Sequence, residues 1–168
     1  MNLKDAKQQF IQAWGALGSQ WGINKTMAQI HALLLLAGEP LSTEDIMEQL
    51  SISRGNANMN IRELMEWALA DKVFKFGERR DYFIAEKDVW KVARQVAKIR
   101  KKRELEPIIR LLEQIENIEG IKNEELKAFL KIVHDVRRLA INADRLIEGI
   151  VKSEESWFWE KIFKLFTK

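Results

Sequence analysis

Apolar residues recur along this chain with two different periods, and the places where the period changes divide it into elements. From Lys4 to Ser19, and again from Asn24 through Ile30, Leu33, Leu34, Leu35, Leu36 and Ala37, the spacing is helical. The second run leaves almost no polar face, which predicts a nearly wholly buried helix, ended by Gly38 and barred from continuing by Pro40. Ser42 before Thr43, Glu44 and Asp45 reads as a capped helix start with acids where the helix dipole favours them. Ile46, Met47 and Leu50 keep helical spacing, and Ser51-Ile52-Ser53 breaks it. A second helix opens at Ser53, with Ala57, Ile61, Leu64 and Ala68 on an inward stripe. The period then drops to two. Val73-Phe74-Lys75-Phe76 alternates as a strand, Gly77-Glu78-Arg79-Arg80 is a turn, and Asp81-Tyr82-Phe83-Ile84 returns as its partner. Helical pattern resumes from Lys87 to Glu119, with Pro107 expected to kink or interrupt it and Gly120 marking a break. A last long helix, Asn123 to about Val151, sets Leu126, Leu130, Val133, Val136, Arg137, Ala140 and Ile147 close to one face.

Two short helices followed by a basic hairpin are the elements of a winged helix-turn-helix. The expected fold is mainly α with a small β-hairpin wing, plus long helices forming a dimerisation arm. Residues 1–86 form the DNA-binding domain in this division, and 87–168 the helical dimerisation region. The outward face of the second short helix carries Arg54, Gly55, Asn58, Met59 and Arg62. Asparagine and glycine near a helix start lower its intrinsic stability, so something other than helix propensity selects them. Arg and Asn offer paired donors and acceptors that match guanine and adenine edges in the major groove. Arg54, Asn58, Met59 and Arg62 are accordingly expected at base edges. Ser53, Gly55, Asn56 and Asn60 are expected at phosphates or groove walls, and Arg79 and Arg80 would anchor the wing on the DNA backbone or in a narrow minor groove. The bland alternative is a helical protein whose polar residues are merely solvated.

The same residues carry a family resemblance. Trp21-Gly22-Ile23, Gly38-Glu39-Pro40-Leu41-Ser42, Ser53-Arg54-Gly55-Asn56, Met59-Asn60-Ile61-Arg62-Glu63-Leu64, Trp67 and Gly77-Glu78-Arg79-Arg80-Asp81-Tyr82 together resemble the MarR-like winged-helix regulators, in the branch typified by glycine-betaine repressors. The similarity runs from about Trp14 to Arg103. It implies a dimeric transcriptional regulator, and some relatives answer to choline or similar quaternary ammonium compounds.

Composition is compatible with an intracellular, soluble, cytoplasmic protein. The 168 residues include no cysteine, which excludes disulfides and thiolate metal sites. The stretch Met1 to Lys7 has no long apolar run behind it, as a secretory signal would, and no apolar run is long enough for a membrane span. The net charge of +3 is small, but Lys87, Lys91, Arg94, Lys98 and Lys102 recur along one helical flank. Such a flank either attracts the DNA backbone or is simply solvated.

Six tryptophans raise an aromatic-cage possibility for a quaternary ammonium effector, with Trp14, Trp21, Trp67 and Trp90 as the candidate pocket and core packing as the ordinary alternative. The aromatic segment Trp157 to Phe166 caps a dimer core or meets a bilayer interface. Catalysis has little to work with: His31 lies in the buried helix, His134 beside Asp135 lacks relay geometry, and no metal-ligand spacing or phosphate loop occurs. No enzyme activity, cofactor or metal is expected. The expected partners are double-stranded DNA, a second copy of the chain and a small effector. The expected function is a homodimeric regulator that binds a partly palindromic site and blocks or alters transcription. A different-class alternative is a protein-interaction module of the transcription machinery that has no DNA specificity of its own.

Overall fold

The computed structural model describes residues 1–118 and 124–152, which form two compact units, one spanning Met1–Val92 and the other running from Ala93 onward. In the first unit, α1 (Leu3–Gln20) and α2 (Lys25–Leu36) each start on an asparagine. Asn2 Oδ1 accepts from the Asp5 amide, and Asn24 Oδ1 from those of Thr26 and Met27. The two helices cross at glycines. A Cβ on Gly18 would stand 2.6 Å from that of Ala28, so the bare backbone is what permits the approach.

β1 (Leu41–Ser42), α3 (Thr43–Leu50), α4 (Arg54–Glu66), β2 (Ala70–Val73) and β3 (Tyr82–Ala85) follow. The strands form an antiparallel sheet in the order β1-β3-β2, pairing Leu41 with Phe83 and Val73 with Tyr82. Mostly helical, with a three-stranded sheet at the edge of a helix-turn-helix, the fold is a winged helix. Its core is largely apolar: Ile30, Leu34, Ile46, Ile61 and Leu64 are each at most 1 % exposed.

Three expectations change here. β1 pairs only two residues, too few to leave an alternating pattern in the sequence. β2 begins three residues before Val73 and stops there, so Phe74 and Phe76 are not strand residues. The inward stripe of α4 is Ala57, Asn60, Ile61 and Leu64, and it closes on Trp67. Ala68 lies beyond the helix, exposed and at φ 50°.

In the second unit, α5 (Val89–Arg100, which begins in the first) passes through a π-helical turn at Lys101–Leu105 into α6 (Glu106–Glu116). Pro107 falls in the first turn of α6, so the interruption it causes is a change of hydrogen-bond register. α7 (Glu124–Lys152) packs against α6 of the same chain. Val133 and Ala140 are buried, Arg137 bonds Glu116 and Glu113 at 2.7 and 3.2 Å, and Lys101 reaches Glu148 at 2.6 Å and Asp144 at 3.3 Å. Lys101 and Lys152 hold the Glu148 carboxyl down to about 2. Val136, expected on this face, lies instead on another stripe with Phe129, Ile132, Leu139 and Leu146, all 44–71 % exposed. Among the described residues no helix is long and apolar enough to cross a membrane. The expected break at Gly120 and the aromatic segment Trp157 to Phe166 lie outside the described residues.

Candidate nucleic-acid interface

The turn between α3 and α4 is built from local caps. Ser42 and Asp45 make a reciprocal capping box: the Ser42 amide and hydroxyl both donate to Asp45 Oδ2 at 2.7 Å, and Ser42 Oγ accepts from the Asp45 amide. That bonding to Ser42 holds the Asp45 carboxyl below its usual range. Ser51 ends α3 in the left-handed conformation, φ 52°, which turns the chain toward α4. Ser53 Oγ then accepts from the Asn56 amide and starts α4.

With one side of α4 closed by the core, Gly55, Asn58, Met59 and Arg62 are left exposed on the other, lining one shallow depression with Glu63 and Glu66. Met59 is 58 % exposed, so a large thioether is held in water on the same face. Arg54 is exposed as well, but its Nη2 sits 2.7 Å from Glu44 Oε1. The Arg54 hydrogen bond, assisted by the field of Arg80, lowers the Glu44 carboxyl. Glu44 therefore ties the start of α4 to a carboxylate on α3.

Asn60 departs from expectation. It is wholly buried, and its Nδ2 donates to the backbone oxygen and Oδ1 of Asn56 at 2.8 and 2.7 Å. Three residues from Ala57 and four from Leu64, it shares the inward stripe, so it cannot line a groove wall. Asn56 is half-buried, with its side-chain oxygen accepting from Asn60, which turns it toward its own helix.

In the wing, Arg79 and Arg80 are exposed. Lys72 pairs with Asp81 at 2.8 Å, and Lys75 Nζ lies 4.3 Å from the centre of the Tyr82 ring. Phe74 and Phe76, freed from the strand, are 82 % and 108 % exposed. Their exposure is not legible in the sequence, because apolar alternation looks the same in a strand and in a turn that happens to repeat it.

The basic flank is also partly diverted. Lys87 lies over the end of α2 and donates to the carbonyls of Leu34, Leu35 and Ala37 at 2.7, 2.8 and 2.7 Å, satisfying acceptors that the helix leaves open. Burial lowers its pKa. Lys91 stands 3.7 Å from Glu86 and 4.0 Å from Asp88.

The four tryptophans occupy different settings. Trp14 stacks on Phe10 and tilts against His31, Trp21 is 55 % exposed at the end of α1, Trp67 is buried at the end of α4, and Trp90 is partly exposed in the first turn of α5. An open groove of about 1110 Å³ between α1, α2 and α3 is lined by other residues, among them Ile11, Leu33, Leu36, Leu41 and Leu50. His31 is buried, and desolvation lowers its pKa to about 4; His134 Nδ1 lies 3.1 Å from Glu116 Oε1.

No family model matches the chain. Over 88 residues it is 22 % identical to the putative HTH-type transcriptional regulator YvaV of Bacillus subtilis (strain 168), a match that covers 52 % of this chain. The matched part is 50 % of that relative, so the chain spans about half the length of the curated protein it resembles. A mutant of S. aureus MepR bound to an oligodeoxyribonucleotide superposes loosely, with TM-score 0.41 and 15 % identity over 80 % of this chain and 91 % of that one. The crystal structure of a transcriptional regulator superposes with TM-score 0.58 at 15 % identity, covering 86 % of this chain and 99 % of its own, and so has the same fold.

Proposed function

We propose that this chain is a DNA-binding transcriptional regulator, a repressor of the MarR-like, glycine-betaine repressor kind, that acts as a homodimer. The observation that carries this is the outward face of α4: Asn58, Met59 and Arg62 stand exposed together on a helix whose opposite side is buried in the core. Nothing in folding calls for that choice of residues. Arg54, Asn58, Met59 and Arg62 approach base edges, Ser53 and Gly55 approach phosphates, and Arg79 and Arg80 hold the backbone from the wing. Arg54 exchanges Glu44 for DNA on binding.

The homodimer rests on α7. Its exposed stripe of Phe129, Ile132, Val136, Leu139 and Leu146 advances by alternating three- and four-residue steps before its last, seven-residue step, the spacing of a helix that meets another like itself. Paired recognition helices would then meet DNA about 34 Å apart. A small effector would act by preferring one spacing of those helices over the other, which thermal shifts against choline would test.

Selection of bound duplexes from a random pool, followed by gel shifts at several salt concentrations, tests the proposed function. Asn58→Ala should relax preference at particular base pairs, whereas Arg80→Ala should weaken binding to every sequence and flatten the salt dependence. A folded protein that retains no duplex at low salt would overturn the proposal, and equal losses on all sequences from both changes would overturn the division of roles.

A further inference from the structure

We infer that Phe76 is a wedge: when the wing meets DNA, its ring enters the minor groove and partly unstacks a base step. The inference rests on the DNA-binding function proposed above and adds a residue and a deformation to it.

Phe76 is fully exposed and Phe74 nearly so. Their placement is not slack in the loop. The Glu78 amide donates to the Lys75 carbonyl at 3.1 Å, closing a four-residue turn, and Gly77 in its third position takes φ 82°, which a type II turn requires and glycine supplies without strain. Phe76 is thereby the corner residue of a defined turn, carried outward at the end of a two-stranded ribbon. Lys72 reaches back to within 5.2 Å of the Phe74 ring centre, which leaves Phe76 as the leading ring.

Charge around the ring selects the occupant. Of the two acids in the loop, Asp81 is paired with Lys72 at 2.8 Å, and Glu78 shares the loop with Lys75, Arg79 and Arg80. Arg79 and Arg80 remain exposed beside the tip. A bare aromatic ring on a loop that also exposes two arginines fits a partner that is anionic at its rim and apolar beneath, as a minor groove is between its phosphate walls and its stacked bases. Apolar side chains that enter the groove this way open a base step and bend the duplex, so they favour flexible steps at positions where no base edge is read.

The test uses the full chain with the tightest duplex recovered from a randomised pool, carrying 2-aminopurine at successive positions under the wing. Wild-type protein should raise the fluorescence at one step. Phe76→Ala should abolish that rise and weaken binding by about tenfold with the salt slope unchanged, because stacking but no charge is lost. Phe76→Trp should restore both. Because the ring is fully exposed, truncating it leaves the fold intact, which circular dichroism checks. If wild type binds duplex tightly but no position brightens, or if Phe76→Ala binds and brightens like wild type, the wedge is overturned while the DNA-binding function stands. If the folded wild type binds no duplex, both fall. Binding of wild type but not Phe76→Ala to phosphatidylserine vesicles, with duplex affinity equal for the two, would also overturn the wedge and assign the ring to a lipid surface.

Discussion

The two units of this chain are both mainly helical where they are described, yet among the described residues the first buries far more of its apolar side chains than the second. In the first, five large aliphatic side chains from α2, α3 and α4 are at most 1 % exposed. In the second, only Val133 and Ala140 are buried among the described residues, while α7 leaves Leu139 and Leu146 about 70 % exposed. The difference teaches how work is divided in a protein of this shape. The proposed reading face on α4 has a buried apolar core directly behind it. The described helices of the second unit bury little and carry ion pairs such as Lys101 with Glu148 beside an exposed apolar stripe.

The sharpest way to break this comparison is to make the same cut on both sides. Leu64→Ala should cost about 2–5 kcal/mol in denaturant unfolding, through lost burial and a residual cavity. The same truncation at Leu139 should cost less than about 0.5 kcal/mol in dilute protein. Its effect should surface as weaker self-association in sedimentation, since the stripe to which Leu139 belongs is the proposed seam.

Acid should distinguish the units next. Burial holds His31 at about 4, against 6.5 in the open chain. As pH falls, the unfolded chain takes up the proton first, so this contribution to stability is complete above about 6.5 and is lost progressively down to about 4, amounting to about 3 kcal/mol. Unfolding curves across that range should show His31→Leu with a flatter profile than wild type, and the melting of the arm should not follow it.

Gly18→Ala comes third. The new methyl would meet Ala28, and relief by separating α1 from α2 should cost about 1–3 kcal/mol by calorimetry. Smallest is Ser42→Ala, which removes the hydroxyl half of the capping box and should cost about 1 kcal/mol by the same measurement. Because Ser42 is also paired in the sheet with Tyr82, hydrogen exchange should show that loss spreading from α3 into the wing.

What could be read without coordinates was local. Helix starts at Asn24, Ser42 and Ser53, the breaking run at Ser51, and the return of the chain at Gly77 all depend on bonds between near neighbours, and the structure forms them much as the residues suggest. The exposed face of α4 was legible for the same reason, since helical spacing alone puts Asn58 and Arg62 opposite Ala57 and Ile61. Tertiary packing decided the rest. It put Asn60 inside, where its Nδ2 donates to Asn56, drew the Lys87 ammonium onto the end of α2, and set α7 against α6 along one stripe while leaving another open. Each of those outcomes depends on groups far apart in the chain meeting in space. A buried amide donor or a bound ammonium settles where acceptors already wait for it, and spacing along a sequence does not say where those acceptors will be.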